Sequence, residues 1–477
     1  MEQEPILANK ITNSLLITTL DRNGKSYTTT ALYEETVSSA DKATPVAHKP
    51  ILVELSCEEV GTESLLGNIY VGRVRDIVKN LNAAFIEITP GVIAYYSIKD
   101  NPNPIFIKKQ GQNAVSTPKI SPPPYTFRQG DEQEQNAVSA SKTLPPPYTL
   151  RQGDELLVQV AKEAMKTKPP ELSSNLNFHG NHLLLTTGNT LLGTSKKLSQ
   201  GRKTHLKSLI APLKKAEFGL ILRTSCEQAA DPEILEEVSH LQERAKALLH
   251  KALYRSVYSC LMEAPPTYIS QLKRLKLQGL KEVITDRQDV AEQIREYFSE
   301  NDSQQKYSSD NHHMEQIREY FPENDSQPEI PLRFYEDSNY PLVKLYRLEQ
   351  ELEDALKEKV WLKSGAYLVI EPTEALTVID VNTGKSMAKG QSKEHYRKVN
   401  LEAAKEVARQ LRLRNLSGII LIDFISMTEK ADQETLLRAL RRFTSKDPVP
   451  VQVVDMTKLN LVEITRKKMK KSLKESL

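Results

Sequence analysis

The chain has 477 residues, 39% of them hydrophobic and 27% charged, with a formal net charge of +3. That length holds several folded domains, and the near-neutral charge means that any site for a polyanion must come from local clustering of cations. No apolar run reaches the length of a membrane span, MEQEPILANK lacks the pattern of a secretory leader, and Cys57, Cys226 and Cys260 are odd in number without CxxC spacing, so the expectation is a cytoplasmic, non-membrane protein with no disulfide framework.

From Lys10 to Cys57 short alternating segments (SLLITTL, SYTTTALYEE, KPILVELS) predict strands and turns, with a polar loop over Ser38 to Pro50. From Leu65 the run LLGNIYVGRVRDIVKNLNAAFIEITPGVIAYYSI places β-rich stretches between closely spaced Gly and Asn turns, which predicts a small barrel. Its aromatics Phe85, Tyr95 and Tyr96 are either core or a stacking platform for bases beside Arg73, Arg75 and Lys79. Composition alone favours core.

An internal repeat follows: QNAVSTPKISPPPYTFRQGDE from Gln112 returns as QNAVSASKTLPPPYTLRQGDE from Gln135. Runs of proline among polar residues do not build a packed core, so this reads as a linker-like insertion. EQIREYFSENDSQ from Glu292 returns in the same way as EQIREYFPENDSQ from Glu315, and both copies read as loop expansions. Two copies are too few for a solenoid.

The segment from Glu155 predicts a strand and a lysine-rich turn, and NLNFHGNHLLLTTGNTLLGTSKKL predicts two or three more strands. AEFGLILRTSCEQA sets Arg223 and Thr224 at the end of an apolar strand. A cation beside a hydroxyl there suits a phosphate, although an Arg held by a neighbouring carboxylate reads equally well. Asp231, followed by Pro232, predicts the N-cap of a long helix. EVITDRQD (Glu282 to Asp289) predicts a strand and turn, and Tyr346 to Lys359 an amphipathic helix.

Two apolar runs then climb to an aspartate, LTVI into Asp380 and IILI into Asp423, with one helical segment between them. Each reads as a buried strand whose terminal carboxylate meets solvent. A strand-end Asp is commonly a turn former or a helix cap, but two in matched contexts can converge on a hard divalent cation. Asn382 is placed to hydrogen-bond such a carboxylate. NTGKS does not complete a phosphate-binding loop, because the position five before Gly384 is Ile379 rather than glycine. In the segment between the strands, Lys405, Arg409 and Arg412 fall on one helix face, with Arg414 close by. These cations are either a solvated face or the grip on a substrate backbone.

EPTEALTVIDVNTGKS, NLEAAKEVARQLRLRNLSGIILIDFISM and LVEITRKKMKKSL together resemble the catalytic region of the bacterial ribonuclease E/G family, nearer to its ribonuclease G branch. GNIYVGRVRDIVKNLNAAFIEI and FGLILRTS extend the resemblance over most of the chain outside the insertions. It implies a multidomain α+β fold: an RNase H-like subdomain interrupted by an OB-fold β-barrel and a 5′-sensor domain, then a DNase I-like α/β catalytic subdomain. The implied boundaries are 1–65 and 263–357 for the RNase H-like parts, 66–172 for the OB-fold with its insertion at 111–155, 173–262 for the sensor and 358–477 for the catalytic subdomain.

The function the resemblance implies is that of a magnesium-dependent endoribonuclease, cutting single-stranded, AU-rich RNA in rRNA maturation and mRNA decay. Asp380 and Asp423 fall on the metal-binding aspartates and Asn382 on the asparagine that orients the first. Arg223 and Thr224, with Gly180 and Leu184, match the pocket that senses a 5′-monophosphate, and Phe85, Tyr95, Lys162 and Lys168 align with RNA-binding positions. No CxxC follows the catalytic region, so the cysteines do not support a zinc link between subunits, which leaves a homodimer by direct packing as the expected assembly. A catalytically silent RNA-binding scaffold is the alternative function, and the presence of both carboxylates argues for the enzyme.

Overall fold

A computed structural model describes residues 10–37, 50–62, 64–109, 149–164, 168–276, 279–307, 331–337, 339–384 and 393–477. The chain divides into two compact units, Met1–Glu63 with Pro266–Leu477, and Ser64–Pro265.

The first unit opens with β1 (Lys10–Arg22) and β2 (Lys25–Val37), an antiparallel pair followed by β3 (Ile51–Glu59). Asn23 and Gly24 join β1 to β2 at φ 52° and 76°. Both residues tolerate the left-handed region, and a two-residue turn with that geometry matches the right-handed twist of the strands it joins.

The second unit contains β4 (Ile69–Val78), β5 (Ala83–Thr89), β6 (Val92–Ser97), β7 (Ile105–Lys108), β8 (Glu155–Lys162) and β9 (Glu171–Ser173). Strands pair in the order β4-β5-β6-β9-β8, and β8 returns to β4, so the expected small barrel is closed by five strands. Closure removes the unpaired edges that an open sheet would expose. Val74, Ile86, Ala94, Tyr96, Leu156, Val158 and Leu172 fill its interior. Most of the proline-rich duplication, residues 110–148, lies outside the described residues.

The same unit continues with β10 (Asn177–His179), β11 (Leu183–Thr186), β12 (Leu192–Thr194) and β13 (Gly219–Leu222), a sheet ordered β10-β11-β13-β12. The helices Gln200–Ile210 and Asp231–Ala252 pack on it through Leu206, Ile210, Ile234, Val238 and Leu241. Asp231 is not the N-cap that the sequence suggested: Ala230 holds that position, with Pro in the first turn. The Asp231 carboxylate is instead taken by Arg202 at 2.7 Å and His205 at 2.5 Å, which are stronger partners than backbone amides. β14 (Cys260–Met262) pairs with β4.

Back in the first unit, β15 (Leu280–Thr285) and β16 (Leu332–Phe334) add parallel strands to give the order β16-β15-β1-β2-β3. Both faces of this sheet are covered. Leu15, Ile17 and Val283 meet the helices Thr267–Lys276 and Gln288–Tyr307, while Leu16, Leu20 and Ile284 meet Leu342, Leu348 and Leu352. The first copy of EQIREYF therefore lies within a helix rather than a loop expansion, because Val290, Ala291 and Ile294 are spaced to bury one helical face. The second copy lies outside the described residues.

The last sheet contains β17 (Lys359–Trp361), β18 (Tyr367–Pro372), β19 (Leu376–Asn382), β20 (Gly418–Asp423), β21 (Val451–Met456) and β22 (Leu461–Arg466), ordered β17-β18-β19-β20-β22-β21. Ile370, Ile379, Val381, Ile420, Ile422 and Ile464 pack under the helices Lys393–Leu413 and Lys430–Thr444, through Val399, Ala403, Val407, Leu436 and Leu440. Alternate residues point the other way, and β19 runs half-exposed, buried, half-exposed along its whole length. Among the described residues, no helix is long and apolar enough to cross a membrane.

Candidate active site

The helix-free face of the last sheet carries both aspartates. β19 and β20 are parallel, and their register sets Asp380 directly opposite Asp423. Neighbouring strands lie about 4.8 Å apart, so the two carboxylates stand side by side on one face. Asn382, two residues on and therefore on the same face, donates from Nδ2 to Asp380 Oδ2 at 2.6 Å. Neither aspartate is in an ion pair among the described residues.

Two adjacent carboxylates without a cation repel, and a divalent ion relieves that repulsion. The donors are oxygens only, with no thiolate or imidazole among them, which suits a hard cation such as magnesium. Among the described residues no cluster of three or more His, Cys, Asp or Glu side chains is set to bind a metal, and Asp380 and Asp423 form a pair only. Magnesium characteristically takes one or two carboxylates and completes its octahedron with water and substrate phosphate.

Both turns beside the aspartates are braced. Gly384 sits at φ +67°, and a Cβ there would come within 2.3 Å of the Gly365 carbonyl oxygen, so the turn after β19 admits no side chain. After β20, the buried Asn400 side chain donates to the Ile425 carbonyl at 2.7 Å and accepts from the Ile425 amide at 3.1 Å. Gln433 adds a bond to the Met427 carbonyl at 2.9 Å. The segment leaving Asp423 is thus pinned from two helices.

Of the four cations noted in the sequence, Arg409, Arg412 and Arg414 are held by other partners. Arg412 is 9% exposed and reaches Glu34 and Glu54 on β2 and β3, each at 2.8 Å. Arg409 is bound by Glu406 and donates to the Leu52 carbonyl at 2.7 Å, while Arg414 is buried against Gln410. Burial would raise the Glu54 carboxyl, but Arg274 and Arg412 hold it below its ordinary range. Only Lys405 of the four is exposed. Arg412, by its ion pairs, and Arg409, by its bond to the Leu52 carbonyl, tie the helix to the first sheet.

In the second unit, Arg223 follows β13 and donates to the Gly180 carbonyl at 3.2 Å. Thr224 Oγ1 lies 3.0 Å from Ser195 Oγ, and both Arg223 and Thr224 are exposed. Leu184 pairs with His179 on one side and Ile221 on the other, half-exposed on the open face of the four-stranded sheet. A Cβ at Gly180 would fall 1.8 Å from Glu237 Oε1, so a side chain there would displace that carboxylate. That carboxylate accepts from the amides of His182 and Leu183 at 2.9–3.1 Å and shapes the turn on which Gly180 sits. Sequence reading missed Glu237. Its signal would have been an acid on the helix Asp231–Ala252 flanked by the buried Ile234 and Val238.

On the barrel, composition favoured Phe85 and Tyr95 as core, and the structure reverses this. Tyr96 is the buried aromatic, bonded to Ser174 at 2.8 Å, whereas Phe85 and Tyr95 stand half-buried on the outer face with centroids 6.2 Å apart. A strand sends adjacent residues to opposite faces, so Tyr95 and Tyr96 were never interchangeable. The register continues the outer row from Phe85 to Tyr95, Glu171 and Lys162 across four strands. Lys162 pairs with Glu171 at 2.6 Å, and Lys168 is exposed nearby in sequence. Arg73 and Arg75 on this face are also paired, with Glu155 and Glu87. Tyr258 first, then the Gly91 amide and Arg75, hold the Glu87 carboxyl down to about 2.

Residues 177–469 match the model of the Ribonuclease E/G family, a span that includes the four-stranded sheet and both aspartate strands. The chain is 31% identical over 431 residues to ribonuclease G of Salmonella typhimurium, covering 90% of this chain and 78% of that protein. It belongs to the ribonuclease E/G family. Ribonuclease G of Escherichia coli K12 is 30% identical over the same shares, and ribonuclease E of Nostoc is 27% identical over 86% of this chain and 52% of its own length. As a member of the ribonuclease E/G family, the chain carries one brace that sequence reading also missed, Asn400. Its trace is a polar residue between Val399 and Ala403 on the apolar stripe of its helix.

Proposed function

We propose that this endoribonuclease uses Asp380 and Asp423 to hold one magnesium ion against the scissile phosphate of single-stranded RNA. The observation that carries the reading is the side-by-side placement of the two carboxylates on an open sheet face, with Asn382 bonded to the first. Asn382 fixes the rotamer of Asp380 and leaves its other oxygen for the ion. A bound magnesium supplies charge stabilisation at the phosphate and lowers the pKa of an attacking water. Asn400 and Gln433 keep the segment after Asp423 from drifting, so the second carboxylate stays aimed.

Arg223 and Thr224 take a 5′-monophosphate, with Gly180 and Leu184 shaping the pocket, an assignment supported by the exposure of the guanidinium and hydroxyl. Phe85 and Tyr95 stack bases and Lys162 contacts the backbone of the strand, which the outer-face row on the barrel supports, and the exposed Lys168 is assigned to the backbone on family resemblance. In this reading the barrel is an OB-fold, the four-stranded sheet a 5′-sensor, the first sheet RNase H-like and the last DNase I-like, within the boundaries set out above. AU-rich substrates, rRNA maturation, mRNA decay and a homodimer complete the proposal on family resemblance.

Cleavage of a 5′-monophosphorylated single-stranded RNA with and without magnesium tests it. Asp380→Asn and Asp423→Asn are each expected to lower the rate by about a thousandfold, the equivalent of several kcal/mol of charge stabilisation. Unchanged cleavage in both variants removes the metal site.

A further inference from the structure

The face that carries the aspartates also carries aromatic and cationic side chains with no role in the site described so far. At the sheet edge, Lys359 stands opposite Val369 and Trp361 opposite Tyr367, and Tyr367 in turn stands opposite Asn382. Because side chains alternate along strands, Lys359, Trp361, Tyr367, Asn382 and Asp380 all project to one side. With strands about 4.8 Å apart, Tyr367 lies one spacing from Asn382 and Trp361 about two.

Trp361 is 62% exposed, so its indole adds little burial to the fold. Its ring centroid is 5.2 Å from that of Tyr367, with the planes tilted by 58°. Lys359 Nζ sits 3.6 Å from the Tyr367 ring centroid and 4.2 Å from that of Trp361. A lysine over two rings can simply cap a sheet edge. Against that stands its place: the arginines of the Lys393–Leu413 helix are committed to other partners, whereas Lys359 brings a cation to the carboxylates' own face.

We infer that Trp361 and Tyr367, with Lys359, form a platform that stacks a base flanking the scissile phosphate of single-stranded RNA. Aromatic faces accept any base, and a cation beside them meets the phosphodiester. Only an unpaired strand offers free base faces, so the platform selects against duplex at the point of cleavage. This inference rests on the nuclease reading of Asp380 and Asp423.

Trp361 is the sole tryptophan of the 477 residues, so intrinsic emission reports on the platform directly. The full chain carrying Asp423→Asn is titrated with a labelled single-stranded oligoribonucleotide of about ten nucleotides, within the range of known single-strand sites, and anisotropy confirms binding. Emission is expected to fall by about half with single strands and to hold steady with a duplex of the same length, since stacking needs a free base face. In the otherwise unaltered chain, Trp361→Ala is expected to raise KM about tenfold with kcat nearly constant, and Trp361→Phe to restore most of it. RNA bound without quenching, or unaltered KM in Trp361→Ala, overturns the platform while cleavage by the unaltered chain keeps the nuclease reading. Quenching by single strands in a chain that never cleaves keeps the platform and removes the nuclease reading. Emission that varies with protein concentration in the absence of RNA shows a second copy covering the face and overturns the proposal.

Discussion

The open face of the six-stranded sheet and the outer face of the barrel are built alike, from alternating strands with one side turned outward, yet they treat charge in opposite ways. On the sheet, Asp380 and Asp423 stand in register, neither of them in an ion pair among the described residues. On the barrel, Arg73, Arg75 and Lys162 each have a carboxylate partner. It is the adjacent, unpaired placement of the two carboxylates on which the proposed magnesium site rests. A face whose arginines are already paired offers its aromatic surface first. The Lys393–Leu413 helix follows the barrel's logic rather than the sheet's: Arg409 and Arg412 are near the aspartates in sequence but spent on Glu34, Glu54 and Glu406.

That contrast is open to breakage. The largest expected effect is on stability: Arg412→Ala leaves Glu34 unpaired and Glu54 with Arg274 alone and is expected to cost about 3 kcal/mol, read by denaturant unfolding. A stable variant with weakened RNA binding would return Arg412 to the substrate. Next, Asn382→Ala frees the Asp380 carboxylate and is expected to weaken magnesium affinity about 10- to 100-fold, read as a shift in the metal dependence of cleavage. An unshifted magnesium titration would make Asn382 a turn residue only. On the barrel, Phe85→Ala is expected to weaken single-strand binding about tenfold while leaving the melting temperature nearly unchanged. Loss of stability with intact binding would restore the core reading.

The smallest effect concerns pH. Glu87 is held down to about 2, below its unfolded value, so its contribution is present above the unfolded value and fades as pH falls toward about 2. Glu87→Gln is therefore expected to be less stable than the unaltered chain near neutrality, with the gap closing between about pH 4.5 and 2. Acid unfolding curves that stay parallel through that window would remove the linkage.

Part of the placement could be read before any coordinates. An apolar run ending in a polar residue is a local pattern, so Asp380, Asp423 and Arg223 were expected at strand ends, where the structure has them, whereas the roles proposed for them came from the family resemblance. Asn400 and Glu237 were not legible in this way, since each acts on backbone far along the chain, at Ile425 and at His182. The first copy of EQIREYF reads as a loop when its repeat is noticed and as a helix when Val290, Ala291 and Ile294 are counted.

The sequence by itself determined the two aspartate strands, the barrel and membership of the ribonuclease E/G family, because these rest on periodicity and on motifs of neighbouring residues. Tertiary structure alone decided three things: that Asp380 and Asp423 face each other in register, that Tyr96 rather than Tyr95 enters the barrel, and that Arg412 belongs to Glu34 and Glu54. The reason is physical. A strand's period says which residues share a face, but the partner strand, its register and the side chosen for the core depend on contacts tens to hundreds of residues apart.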